Sequence, residues 1–116
     1  MPGPFVVDAS VFLNAFNPFE RGSETSKEVL AHIQSLAIPL IAPVLLLPET
    51  AAAISRGQNN PDLARQFTGA LQRLPHLVLT PLDLLLAQQA YDIAASYRLR
   101  GSDAIYAAVA QRFACP

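Results

Sequence analysis

Cysteine occurs once in the 116 residues, at Cys115, so no disulfide can form within the chain, and a reducing cytoplasm is the expected setting. Positive charge is also sparse: eight Lys and Arg stand against nine Asp and Glu, a formal net charge of −1, and the eight are spread from Arg21 to Arg112. That excludes a basic tail or a polybasic membrane patch, and any polyanionic ligand must be met by local charge. Long hydrophobic runs are missing as well. The longest, Leu36 to Leu47, has twelve residues interrupted by Pro39 and Pro43, against about 18 for a membrane-spanning helix. The N-terminus lacks a cationic region and carries Asp8 inside its first apolar run, which argues against a signal peptide. No Gly-rich phosphate loop exists, and the sole lysine, Lys27, falls within an expected helix. A receiver-like phosphotransfer domain with Asp8 as phosphoacceptor is therefore weakly supported.

What the chain does have is apolar content, 52% of residues, enough to cover helices on one or both faces of a sheet in one domain over residues 1–116. Phe5-Val6-Val7-Asp8 reads as a short buried strand, and Ser10 as the cap of a helix over Val11 to Phe16 that ends at Asn17-Pro18. From Ser23 or Thr25 a second helix presents Val29, Leu30, Ile33 and Leu36 on one face and breaks at Pro39. Pro39-Leu40-Ile41-Ala42 is a second strand. Helical spacing resumes from Val44 to Ser55, with Pro48 kinking or delaying the first turn and Gly57 as its stop. Asn60-Pro61 opens a helix to about Leu74, and His76-Leu77-Val78-Leu79 is a third strand. Thr80-Pro81 repeats the cap-plus-proline start for a helix to about Tyr97, and Gly101-Ser102 recaps a last helix bearing Ile105, Ala108, Val109 and Phe113. Strands alternating with helices imply an α/β domain with a parallel sheet. The last helix runs out at Phe113-Ala114-Cys115-Pro116, where a further strand is expected, so the natural chain is expected to continue past Pro116.

Three acids occupy notable places: Asp8 at the end of the first apolar run, Glu49 after Leu47-Pro48, and Asp103 in Ser102-Asp103-Ala104-Ile105-Tyr106. Parallel sheets bind ligands outside the carboxyl ends of their strands, where strand order reverses. All three can face such a rim, although 41 and 54 residues separate them in turn. Converging carboxylates repel unless a cation lies between them. Oxygen-only ligands suit Mg²⁺ or Mn²⁺ rather than zinc, and such ions promote phosphodiester hydrolysis. Each acid has a plainer reading: Asp8 as a cap of the following turn, Glu49 and Asp103 as first-turn helix acids. Ser10 can be a cap, a neighbour of the metal, or both. Arg56, Arg98 and Arg100 can meet phosphates or simply face solvent. His32 and His76 match no ligand pattern, Asp83 and Asp92 are set aside as helix acids, and Tyr91, Tyr97 and Tyr106 read as packing residues.

Val6-Val7-Asp8-Ala9-Ser10-Val11-Phe12-Leu13, Ala42-Pro43 through Pro48-Glu49, and Tyr97-Arg98-Leu99 through Asp103-Ala104-Ile105-Tyr106-Ala107-Ala108 resemble, in order, the motifs of PIN-domain nucleases, above all the VapC-type toxins of toxin–antitoxin pairs. The resemblance implies a three-layer α/β fold and an endoribonuclease using Mg²⁺ or Mn²⁺. It implies metal-binding roles for Asp8, Glu49 and Asp103, with Ser10 as a polar neighbour. It further implies an RNA substrate, an antitoxin partner and a homodimer. The family's fourth acid is expected on the strand after the last helix. The competing reading is a catalytically weak or inactive PIN-like module that binds RNA or protein.

Overall fold

A computed structural model describes residues 4–16 and 22–113. The expected helix end at Asn17-Pro18 and the run Ala114-Cys115-Pro116 lie outside the described residues. Short strands alternate with helices in the order β1 (Phe5–Val6), α1 (Ala9–Phe16), α2 (Ser23–Ser35), β2 (Leu40–Pro43), α3 (Leu46–Gln58), α4 (Pro61–Gln72), β3 (Leu77–Thr80), α5 (Leu84–Tyr97) and α6 (Gly101–Arg112). The strands form one parallel sheet ordered β1-β2-β3, with Phe5 opposite Leu40 and Leu40 opposite Leu77.

Side chains alternate across a strand, and here that alternation divides the core in two. Leu40 and Ala42 of β2 face a cluster with Ala9, Phe12, Leu46 and Leu71, joined by Phe5, Val7, Leu77 and Leu79. Ile41 points the other way, into Leu86, Ala90, Ala104, Ala108 and Val109, with Val6 beside them. Helices α1 to α4 therefore cover one face and α5 with α6 the other, the three-layer α/β arrangement expected from sequence. Among the described residues no helix is long and apolar enough to cross a membrane.

Helix α6 decides where the site can form. It packs against α5 and returns across β2 to β1, so the chain that leaves β3 comes back to the strand where it began. Strand order does not reverse among the described strands, so the expected reversal is not found there, and β1, which leads to Asp8, is an edge strand of the described sheet.

The boundaries differ from expectation where backbone pairing competes with a local signal. Thr80 does not cap α5: its carbonyl accepts the Val44 N–H at 2.9 Å as the last residue of β3. The cap is Asp83, whose Oδ1 accepts the Leu86 N–H at 2.8 Å. Gly57 does not stop α3, which runs to Gln58 and ends on Asn59 in the left-handed region, φ 49°, a conformation asparagine tolerates. Ser102 is inside α6 rather than capping it, since Arg100 holds the N-cap position without a side-chain capping bond. Pro48 is the third residue of α3, where its missing N–H costs no helical bond, and the helix starts two residues later than Val44. Asn60 caps α4 as expected, accepting the Leu63 N–H at 3.0 Å.

Strand β1 is shorter than expected and only half-buried. Among the described residues it pairs on one side only, with β2. Between β1 and α2 lies a mostly apolar cavity of about 540 Å³ lined by Phe5, Val7, Val11, Val29 and Ile33.

Candidate acidic site

Asp8 lies two residues past β1, and its carboxylate takes the place expected of Ser10. Its Oδ1 accepts the Ser10 backbone N–H at 3.0 Å and also the Ser10 hydroxyl. Asp8 is thus the cap of α1, and Ser10 is its donor from inside the first turn. The side chain remains exposed. Capping and ligand roles are compatible, because Oδ2 enters no hydrogen bond among the described residues.

Glu49 is the fourth residue of α3 and partly buried. Its Oε1 accepts the phenolic O–H of Tyr106 at 2.8 Å. Tyr106 belongs to α6, one turn beyond Asp103, and is only 9% exposed. Burial pushes its phenol well above the ordinary value, and the hydrogen bond to Glu49, the charge of Glu49 and the charge of Asp8 push it further. A single phenol therefore lies in the field of both carboxylates.

Asp103 is the third residue of α6, and its Oδ2 accepts from Nε of Arg100 at 2.9 Å. The Arg100 guanidinium is held above its ordinary value by the bond to Asp103, then by the charges of Asp103 and, more weakly, Glu49. Tyr106 contacts Glu49 and Arg100 contacts Asp103, whereas Asp8 bonds, among the described residues, to Ser10 in its own turn. Each acid keeps one oxygen outside any hydrogen bond among the described residues.

Beside Glu49 a shallow groove of about 450 Å³ runs over Ala9, Leu13, Leu45, Pro48 and Ala52 to Arg56. Arg56, two turns beyond Glu49 on α3, lines this groove, and Arg100 stands against Asp103. Arg98 is the C-cap of α5, φ 56°, and exposed.

The donor set tests the fit of a divalent ion. It offers carboxylate oxygens with neither thiolate nor imidazole, the chemistry that suits Mg²⁺ or Mn²⁺. Among the described residues no group of three or more His, Cys, Asp and Glu side chains closes around one point. The donors fit such an ion by type, and Ser10, Tyr106 and Arg100 supply the contacts that occupy one oxygen of Asp8, Glu49 and Asp103 in turn.

Sequence reasoning missed Tyr106, treating it as a packing residue, and missed Arg100 as the partner of Asp103. The Arg100–Asp103 spacing of three at a helix start was a readable signal. The Tyr106–Glu49 contact spans 57 positions, and no local pattern announces it.

The PIN domain family model matches residues 5–116 of this chain. No curated protein sequence matches it. Among solved structures the fold is similar to the crystal structure of Mycobacterium tuberculosis VapC20, a toxin that cleaves the sarcin-ricin loop, with a TM-score of 0.80 over 97% of this chain and 85% of that one. The two sequences are 18% identical, so this likeness speaks for the fold.

Proposed function

The chain belongs to the PIN-domain family, and from that premise we propose that it is an endoribonuclease using Mg²⁺ or Mn²⁺, the toxin of a toxin–antitoxin pair. The observation that carries this reading is the PIN-domain match over residues 5–116; Asp8, Glu49 and Asp103, each with one oxygen outside any hydrogen bond among the described residues, support it. The fold shared with the sarcin-ricin loop cleaving toxin supports the choice of RNA and of a toxin role.

Asp8, Glu49 and Asp103 would hold the cation by their carboxylates. A divalent ion there supplies charge for the developing phosphate oxygens and makes an attacking water more acidic. The chain's own groups do the rest. Asp8 is fixed by the first turn of α1, so its free oxygen is presented without losing rotamer freedom on binding. Arg56 and Arg100 are the local cations for backbone phosphates, which suits a protein with no general excess of positive charge. Arg100, bonded to Asp103, competes with a cation for that carboxylate and is a further group for phosphate.

An antitoxin partner and a homodimer belong to the same proposal. A second reading, a PIN-like module that binds RNA or protein without cutting, is favoured by one observation: the described acids do not close around a point. Incubation with structured RNA in EDTA, Mg²⁺ or Mn²⁺, beside an Asp8→Asn control, separates the two. Cutting that needs metal and disappears in Asp8→Asn supports the nuclease. RNA retained on the protein without cutting, and without metal uptake by calorimetry, supports the binding module.

A further inference from the structure

The three tyrosines are used very differently. Tyr91 and Tyr97 on α5 are 69% and 73% exposed, whereas Tyr106 is 9% exposed. A buried phenol needs a partner for its O–H, and this one reaches the side chain of Glu49 on a different helix rather than a backbone carbonyl. Glutamate has three side-chain torsions and loses more rotamer freedom on being fixed than most residues. A free Glu49 would have to lose that freedom whenever it took a ligand. With Oε1 held by Tyr106, the loss is met at folding and Oε2 is left open.

The donor's place matters as much as the bond. Tyr106 stands one turn after Asp103 on α6, and Val109 and Ala108, next along that helix, are fully buried. The helix that carries one proposed ligand thereby sets the orientation of another.

We infer that Tyr106 is a positioning residue that holds Glu49 ready for a divalent cation at the acidic rim. The inference rests on the metal-dependent reading above and deepens it, because no part of that reading assigns Tyr106 a role. Tyr106 meets no substrate; it acts through Glu49. A phenol is protonated at neutral pH and so is a donor there.

Three chains are compared by titrating Mn²⁺ into each in a calorimeter: wild type, Tyr106→Phe and Glu49→Gln. Tyr106→Phe removes one oxygen and keeps the ring. It is expected to melt cooperatively and to bind Mn²⁺ about 10- to 100-fold more weakly, the usual effect of losing a group that orients a metal ligand. A second measurement uses the absence of tryptophan. A Tyr91→Phe/Tyr97→Phe chain changes only exposed rings and leaves Tyr106 as the sole emitter. Its emission is expected to change on adding Mg²⁺, with the half-saturation found when Mg²⁺ is titrated into the same chain in the calorimeter. This readout stands even where Tyr106→Phe does not fold, since Tyr106 is present.

Wild-type affinity in Tyr106→Phe, while Glu49→Gln is weakened, overturns the inference and leaves the nuclease reading standing. Tyr106 emission indifferent to Mg²⁺ that binds by calorimetry does the same. A wild-type chain that takes up no metal overturns both.

Discussion

Nε of Arg100 lies 2.9 Å from Oδ2 of Asp103, the two residues standing at the N-cap and in the first turn of α6. Aspartate in a first turn ordinarily answers the helix dipole, and here it also has its own guanidinium. Arg100 is 84% exposed and Asp103 47% at the side chain, so the pair adds little to stability. Its consequence is for binding.

Arg100→Gln is expected to leave the melting temperature unchanged. With the competing cation removed, Mg²⁺ affinity should rise by about threefold, the order of a solvent-screened unit charge a few ångströms away. RNA affinity should fall, and its logarithm should depend less steeply on that of the salt concentration, by about one unit of slope. Calorimetry with Mg²⁺ and RNA binding across a salt series check both. Weaker metal binding in the variant would mean that Arg100 supports the site instead of competing for it.

Asp8 has two duties, and two substitutions separate them. Asparagine keeps an oxygen for the Ser10 N–H, so Asp8→Asn should keep the stability of the wild type. Asp8→Ala loses the cap and should cost about 1 kcal/mol in urea unfolding. Both should abolish metal-dependent cutting of RNA. Cutting retained by Asp8→Asn would remove Asp8 from the chemistry and leave only the cap.

Tyr106 predicts an alkaline loss of stability. Its phenol is raised in the folded chain above the ordinary value of 10.0, so above that pH the unfolded chain releases a proton that the folded one keeps. The contribution is fully present below pH 10.0 and declines as pH rises toward the folded value, by at most about 1.4 kcal/mol per pH unit. Urea midpoints between pH 8 and 11 should fall faster in wild type than in Tyr106→Phe. Parallel curves would show that the phenol ionises equally in both states.

Thr50, next to Glu49, is fully buried, and its Oγ1 has no hydrogen-bond partner among the described residues. Valine keeps the shape and removes the orphaned oxygen, so Thr50→Val should stabilise by about 1 kcal/mol. Urea unfolding gives the sign. A loss of that size instead would reveal a partner for Oγ1, such as a bound water.

The order of elements was legible because periodicity is a local property. Alternation placed Leu40 and Ile41 on opposite faces, and the i, i+3, i+4 pattern found every helix that packs on them. Asn60-Pro61 worked as a start signal because nothing else claims Asn60. Thr80-Pro81 failed because the Thr80 carbonyl is engaged by Val44 in the sheet, a partner no local window contains. Ser10 was misread as the cap by two residues, since Asp8 offers the stronger acceptor at the end of a shorter strand than expected.

Of the site, the sequence by itself determined the identities: three carboxylates in distinctive settings, no thiolate or imidazole among them, and therefore a preference for a hard cation. It also determined that these residues lie at the ends of apolar segments, because a charged group is excluded from the core. Tertiary structure alone decided their company. The return of α6 across the sheet to β1 sets Tyr106 against Glu49, and the turn before α6 sets Arg100 against Asp103. Periodicity specifies which face a residue occupies. Which residue meets it there depends on how whole helices pack, and no span of sequence shorter than the fold contains that information.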